Sequence, residues 1–418
     1  MEEISELYSR FEECSGVVTD SRMITPESMF FALHGTSFDG NRFAADALRA
    51  GARFAVVDSD EPLDGSPELA GRFIRVDDTL ASLQSLAREH RRHLAIPIIS
   101  IAGSNGKTTT KELVAYVLAE KFAVSATRGN LNNHIGVPLT LLAMTRQTEF
   151  GVVEMGASAC GEIALLASIA EPNYGIITNI GRSHLEGFGG VEGIRRGKGE
   201  LFDFLAENGG TAFIPRENEV LSEMAAERQG MAVESYSTDI ADGFESRLEG
   251  DYNRLNIAAA VEVGLYFGVD RERIAAAIAE YVPSNNRSQR VVTKRNTLIV
   301  DCYNANPSSM AVAIGNLRND DSQHKMLILG DMLELGEWSA EEHRRIAEMA
   351  LAVADAGVVS VGEQFAKAAA ELGCGERWRA FVSTDEAAAY LQTAEIGNRK
   401  ILIKGSHKWA LENLVGIL

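Results

Sequence analysis

Cysteine is sparse and unpaired: Cys14, Cys160, Cys302 and Cys374 are the only four in 418 residues, and no two stand at metal-ligand spacing. Free thiols in a reducing compartment fit that pattern better than a disulfide framework. Positive charge is short as well, with 40 Lys and Arg against 59 Asp and Glu, a formal charge of −19 and a pI near 5.0. A surface this acidic repels nucleic-acid backbones and anionic lipid, which argues against either as the main partner. Any anionic ligand has to be drawn in locally, by a helix N-terminus, a lysine or a metal ion. No apolar run approaches the ~20 residues that span a membrane. The first residues, Met1-Glu2-Glu3-Ile4-Ser5-Glu6, are acidic where a secretory signal is basic. No internal repeat or low-complexity tract is present. The expectation is a cytoplasmic protein whose partners include neither nucleic acid nor membrane.

What is there is ordinary globular material, 45% hydrophobic and 24% charged, and too much of it for one core. Residues 1–94 read as a small α/β unit, with apolar strand-like runs at residues 29–33, 54–57 and 73–76 and helical spacing over residues 42–50 and 79–93. Residues 95–283 open on Ile96-Pro97-Ile98-Ile99-Ser100-Ile101-Ala102, apolar on both faces as in a buried parallel strand. Strands at residues 152–154, 175–177 and 211–214 then alternate with helices, and helical patterns over residues 254–267 and 271–281 close the segment. Pro283-Ser284-Asn285-Asn286 is polar and turn-prone, as a hinge would be. Residues 284–418 repeat the alternation, with strands at residues 298–300, 326–329, 358–361 and 401–403 and a capping-box pattern in Ser339 and Glu342. The fold class expected is α/β in three domains. These are a small N-terminal α/β substrate-binding domain, a central P-loop ATPase-like domain with a parallel sheet, and a C-terminal Rossmann-like domain that lacks the Gly-x-Gly-x-x-Gly fingerprint.

The strongest chemical signal is Gly103-Ser104-Asn105-Gly106-Lys107-Thr108, placed between the buried strand and a helix starting near Thr109. Glycines let backbone N–H groups turn toward phosphate oxygens, and the helix N-terminus adds partial positive charge. Lys107 would neutralise the outer phosphates and the Thr108 hydroxyl would ligate Mg²⁺. The strict pattern would put its first glycine at position 101, so this is a shortened variant. Glu154 ends an apolar strand, where a carboxylate faces the ligand crevice and can hold Mg²⁺, or equally is a solvated charge. Read by themselves, His184 is a loop histidine and Lys198 a surface lysine.

Together these residues resemble a known family. Gly103 to Thr109, Glu154-Met155-Gly156, Thr178-Asn179-Ile180-Gly181 with His184, and Lys198-Gly199-Glu200 are similar to the motifs of the Mur ligases of peptidoglycan assembly. Within that family, Gly129-Asn130-Leu131-Asn132-Asn133-His134-Ile135-Gly136-Val137-Pro138, Asp301-Cys302-Tyr303-Asn304-Ala305-Asn306-Pro307 and Leu329-Gly330-Asp331-Met332-Leu333-Glu334-Leu335-Gly336 resemble members that add D-alanyl-D-alanine to UDP-N-acetylmuramoyl-tripeptide. The resemblance implies a monomeric ATP-dependent ligase working through an acyl phosphate with two Mg²⁺. Thr108 and Glu154 would serve one ion, and Glu154, His184 and a carbamylated Lys198 the other. It also implies that Lys107 and Arg287 act on the phosphates. Asn179, Asn253, Asn256, Asp301 and Tyr303 would hold the nucleotide, although Asn253 and Asn256 equally suit helix capping. Ser21, Arg22, Asp39 and Gly40 resemble UDP-contacting positions, Asp39-Gly40 being also a plain turn. Asn130, Asn133, His134, Asn304, Asn306, Asp331, Glu334, Lys404 and Ser406 would complete the substrate site. His407 stands where the family usually has arginine, which weakens any phosphate role there. Gly193, Gly197 and Gly199 make the helix around Lys198 weak, so the expectation is a lysine ordered only by metal. A related ligase with another amine, such as a tripeptide-forming Mur ligase or folylpolyglutamate synthase, and an ATP-hydrolysing switch are the rival readings. The site should be complete only when the central and C-terminal domains close on each other.

Overall fold

The computed structural model describes residues 2–248, 250, 252–283 and 289–418. Three sheets divide the chain. In the first, β1 (Val17–Val18), β2 (Met29–Phe31), β3 (Phe54–Val57) and β4 (Phe73–Arg75) run parallel in that order. Around them lie α1 (Glu2–Glu12), α2 (Ala44–Arg49), α3 (Glu61–Gly65) and α4 (Thr79–Leu94). The single helix expected over residues 42–50 is split. Asp39 accepts the Asn41 N–H and starts a tight 3-10 turn, Gly40–Phe43, before α2 begins. Asp78 caps α4, and left-handed Ala95 stops it. Arg91 then ties its end to the central domain, donating to the Ala170 carbonyl at 3.0 Å and to Asn173 Oδ1 at 2.9 Å.

The central sheet has the order β10-β9-β8-β5-β7-β6, all parallel. Its strands are β5 (Ile98–Ala102), β6 (Val124–Ala126), β7 (Phe150–Glu154), β8 (Tyr174–Ile177), β9 (Thr211–Pro215) and β10 (Ala232–Tyr236). Between them come α5 (Lys107–Ala119), α6 (Gly136–Leu142), α7 (Glu162–Ala170), α8 (Leu185–Phe188), α9 (Val191–Glu207) and α10 (Glu219–Ala226), with α11 (Asn253–Tyr266) and α12 (Arg271–Glu280) at the end. Strands β5 and β7 are buried throughout, as expected of a sheet covered by helices on both faces. On one face Leu113, Val114 and Val117 of α5 share a core with Ile257, Ala258 and Val261 of α11. The chain leaves β5 for one side of the sheet and later returns to the other. The carboxyl ends of β5, β7 and β8 therefore flank a crevice of the kind in which open α/β sheets bind ligands.

The third sheet is mixed, ordered β11-β12-β16-β13-β14-β15, with β11 antiparallel to β12 and the rest parallel. It comprises β11 (Gln289–Val292), β12 (Thr297–Asp301), β13 (Lys325–Gly330), β14 (Val358–Val361), β15 (Trp378–Phe381) and β16 (Lys400–Lys404). Helices α13 (Pro307–Asn319), α14 (Ser339–Val353), α15 (Glu363–Glu371) and α16 (Thr384–Thr393) cover it. The capping box expected at Ser339 is absent, because Trp338 occupies the cap position and Glu342 turns to Arg182 and Arg345. The capping box that forms belongs to α13, where Asn306 and Ser309 satisfy each other's backbone N–H groups. Among the described residues no helix is long and apolar enough to cross a membrane. The hinge tetrapeptide beyond Pro283, and Arg287, lie outside the described residues.

Candidate active site

Residues 103–106 join buried β5 to α5 in two left-handed steps, Gly103 at φ 130° and Gly106 at φ 81°. Both are sterically committed as well. A Cβ on Gly103 would sit 2.1 Å from Thr178 Oγ1, and one on Gly106 would sit 2.7 Å from Asn256 Oδ1. The helix that follows has no side-chain cap, so its first N–H groups stay available to an anion. The segment after β8 braces the loop. Thr178 Oγ1 donates to the Asn105 carbonyl at 2.6 Å, Asn179 exchanges bonds with the Asn105 backbone at 2.9 and 3.1 Å, and Ser104 Oγ accepts from the Gly181 N–H at 2.9 Å. Lys107 folds back over the loop and donates to the Gly103 carbonyl at 2.8 Å.

Glu154 sits at the end of β7, 1% exposed. Its Oε1 accepts from the Thr108 hydroxyl at 3.1 Å and from Asn132 Nδ2 at 2.8 Å. Its Oε2 is buried with no hydrogen-bond partner among the described residues. A buried carboxylate oxygen left without a donor, next to a hydroxyl at the start of a phosphate-binding helix, fits a hard divalent cation. Among the described residues no three His, Cys, Asp or Glu side chains converge on a point. Any ion here is held by a sparser set completed by hydroxyl and ligand oxygens.

Lys198 is fully buried in α9 and donates to the Ala157 carbonyl at 2.8 Å, its ammonium 4.7 Å from the centre of the Phe188 ring. Burial, assisted by the charge of Lys107, pushes its pKa down to about 7. It is a buried helix residue and not the surface lysine that its own sequence context suggested. The glycines flanking it admit α8, since a Cβ on Gly193 would lie 1.7 Å from the Phe188 carbonyl and one on Gly197 2.5 Å from the Phe188 ring. His184 caps the other end of α8 in a left-handed conformation, with Nδ1 on the Glu334 carboxylate of the C-terminal domain. Burial lowers its pKa, and Glu334 opposes that.

Most of these residues, Lys198 and Glu334 excepted, border a cavity of about 920 Å³ between the central and C-terminal domains. Ser104 to Thr109, Asn133, His134, Glu154, Asn179, His184 and Asn256 line it from the central domain, and Asp301, Tyr303, Asn304, Asn306 and Lys404 from the C-terminal domain. Lys404 Nζ holds Asp301 Oδ2 at 2.6 Å and the Asn304 carbonyl at 3.1 Å. Asn306 Nδ2 crosses the gap to Asn105 Oδ1 at 2.8 Å. Asn253 stands just behind, its Oδ1 accepting from Asn256 Nδ2 at 2.8 Å.

Several expected site residues lie outside this cavity. Asp331 is buried, both its oxygens accepting first-turn N–H groups of α15, from Gln364 at 2.7 Å and Phe365 at 2.9 Å. Ser406 is buried outside the cavity lining, its hydroxyl without a partner among the described residues, and Asn130 is exposed on the loop before α6. Ser21, Arg22, Asp39 and Gly40 sit in the N-terminal domain, where Asp20 holds Arg22 and Asn41 holds Asp39. Conversely, Asn132 and Thr178 are site residues that sequence reasoning passed over. Both stood inside strings already singled out, and only the fold shows that Asn132 reaches Glu154 while Thr178 locks the phosphate loop.

A phosphate loop on a parallel sheet, a strand-end carboxylate and a facing dinucleotide-type domain define an ATP-dependent ligase architecture, and the comparisons make it specific. The chain belongs to the Mur ligase family. It matches the Mur ligase family catalytic domain over residues 13–91, the Mur ligase middle domain over residues 101–264, and the Mur ligase glutamate ligase domain over residues 286–407. It is similar to UDP-N-acetylmuramoyl-tripeptide–D-alanyl-D-alanine ligase of Bacillus subtilis, at 36% identity over 79% of this chain and 76% of that one. A crystal structure of MurF from Acinetobacter baumannii superposes with a TM-score of 0.85 at 30% identity, covering 99% of this chain and 97% of that chain. MurF ligase from Thermotoga maritima in complex with ADP gives 0.81 at 26% identity, covering 97% of each.

Proposed function

We propose that this protein joins D-alanyl-D-alanine to UDP-N-acetylmuramoyl-tripeptide, using ATP and an acyl-phosphate intermediate, in the cytoplasmic assembly of peptidoglycan precursor. The observation that carries the reading is the buried Glu154 Oε2, without a hydrogen-bond partner among the described residues, beside Thr108 and the open N-terminus of α5. The γ-phosphoryl of ATP passes to the terminal carboxylate of the tripeptide, the amine of the dipeptide attacks the acyl carbon, and phosphate leaves. Each step gathers negative charge on oxygen, so fixed positive groups do most of the work. Lys107 swings from the loop carbonyls onto the outer phosphates, and the amides of residues 103–107 hold them in line. Asp301, fixed by Lys404, accepts from the ribose hydroxyls.

Thr108 and Glu154 would hold Mg²⁺, which when bound neutralises the phosphate oxygens. As an ammonium, Lys198 only donates, so a role in a second ion site requires carbamylation. A neutral Nζ adds to CO₂ and loses a proton, becoming an anionic oxygen ligand. The burial of Lys198 behind Ala157, a cavity-lining residue, supports that assignment. ADP formation measured against a panel of UDP-muramoyl peptides tests the reading. Turnover is expected only when tripeptide and D-alanyl-D-alanine are both present. ATP turnover that ignores both would sink it.

A further inference from the structure

Residues 178–184 are tied at one end to the phosphate loop and at the other to the C-terminal domain. Thr178, Asn179 and Gly181 grip Ser104 and Asn105, whereas Arg182 turns the opposite way. Its backbone N–H donates to Ser308 Oγ at 2.7 Å, and its guanidinium pairs with Glu342. Ser308 lies in the first turn of α13 and Glu342 in the first turn of α14, so one residue holds the starts of two C-terminal helices. Glu342 is 1% exposed, and Arg345 of its own helix holds it at 2.9 Å. A carboxylate this buried needs strong partners. One is permanent, and the other belongs to the facing domain. The Arg182 side chain itself is 46% exposed and stands outside the cavity lining.

Resting on the ligase reading above, we propose that Arg182 is a positioning residue that registers the C-terminal domain over the phosphate loop. The same short segment contacts the loop through Ser104 and Asn105 and clamps α13 and α14 through Arg182. A change at the phosphates is thereby passed to the domain that carries Asp301, Asn306 and Lys404. Loss of the clamp leaves the nucleotide bound but lets the facing groups drift, and a drift of about 1 Å is enough for a large loss of rate.

The test compares Arg182→Ala, Arg182→Lys, Glu342→Gln and the Arg182→Ala/Glu342→Gln pair. The readouts are magnesium-dependent ATP affinity, kcat for ligation, and radius of gyration with an ATP analogue and both substrates. The expected result for Arg182→Ala is unchanged ATP affinity, kcat down about 10- to 100-fold, and a larger radius in the liganded state. Arg182→Lys should recover part of both losses, and the double variant should be no worse than Glu342→Gln alone. A normal kcat and radius in Arg182→Ala, or fully additive losses in the double variant, overturns the proposal. Failure of the wild-type protein to bind ATP would instead remove the ligase reading on which it rests.

Discussion

The hydroxyl of Thr108 donates to one oxygen of Glu154 at 3.1 Å, and the other oxygen is buried with no hydrogen-bond partner among the described residues. A fold selected for stability alone would not keep a desolvated oxygen there, because an unpaired buried acceptor is destabilising by about 1–3 kcal/mol. The arrangement makes sense if a ligand supplies the missing partner. Glu154→Gln should therefore separate stability from activity. Removing the buried charge leaves Tm unchanged or raised in metal-free buffer, whereas kcat/KM for ADP formation falls by about 100-fold or more. Parallel loss of both would mean that Glu154 is simply a core residue.

Lys198 gives the second prediction. The Lys198→Ala enzyme should be nearly inactive and should regain activity when a short carboxylate is added, since the small acid can occupy the space of the missing carbamate. Wild-type protein equilibrated with ¹³C-bicarbonate should show a carbamate carbon signal that the variant lacks. Full activity of Lys198→Ala without any added acid would assign the lysine to packing against Phe188.

Much of this architecture was legible in the sequence, and the omissions follow a physical rule. Central strands such as β5, β7 and β13 are buried on both faces and therefore read as continuous apolar runs. The strands without such a signal, β1, β6, β10, β11 and β15, are all sheet edges. Val124–Ala126 is half-buried, and Ala232–Tyr236 buries only Tyr236, so neither carries the pattern. The same logic holds in the site. Gly103 to Thr108 could be found because local backbone chemistry demands those residue types. The reach of Asn132 to Glu154, the crossing from Asn306 to Asn105 and the spending of the Asp331 carboxylate on α15 depend on long-range packing.

Gly103 and Gly106 should not tolerate side chains equally. Gly103→Ala combines a left-handed backbone with a Cβ placed 2.1 Å from Thr178 Oγ1, and Thr178 is itself fixed to the Asn105 carbonyl. Gly106→Ala shares the left-handed backbone but meets only side-chain atoms of Asn256, at 2.7 Å, whereas the Gly103 Cβ also falls 2.9 Å from the Thr178 backbone nitrogen. Strain of this kind amounts to about 1–3 kcal/mol per residue. Thermal melting and ATP titration calorimetry should place Gly103→Ala well below Gly106→Ala in both stability and affinity. Equal tolerance would mean that the loop relaxes independently of β8.

His343 and His90 set the acid limit of the fold. His343 is fully buried; its Nε2 accepts the Met332 N–H at 2.9 Å, which requires a neutral ring, and its Nδ1–H donates to the Ser339 carbonyl at 2.8 Å. His90 is locked in the same way, with Nε2 donating to the Met144 carbonyl at 2.9 Å and Nδ1 accepting from the Tyr8 hydroxyl at 3.2 Å. Burial lowers the pKa of both. As pH falls through about 6.5 the unfolded chain takes up protons that the folded ring refuses, so stability drops until the folded-state pKa is reached. Each histidine contributes at most about 1.4 kcal/mol per pH unit in that window. Chemical denaturation of the wild-type protein between pH 7.5 and 5 should show this decline. His343→Gln, which can still accept from Met332, should show a shallower one. An identical slope in the variant would mean that His343 titrates alike in both states and that the acid limit lies with other groups.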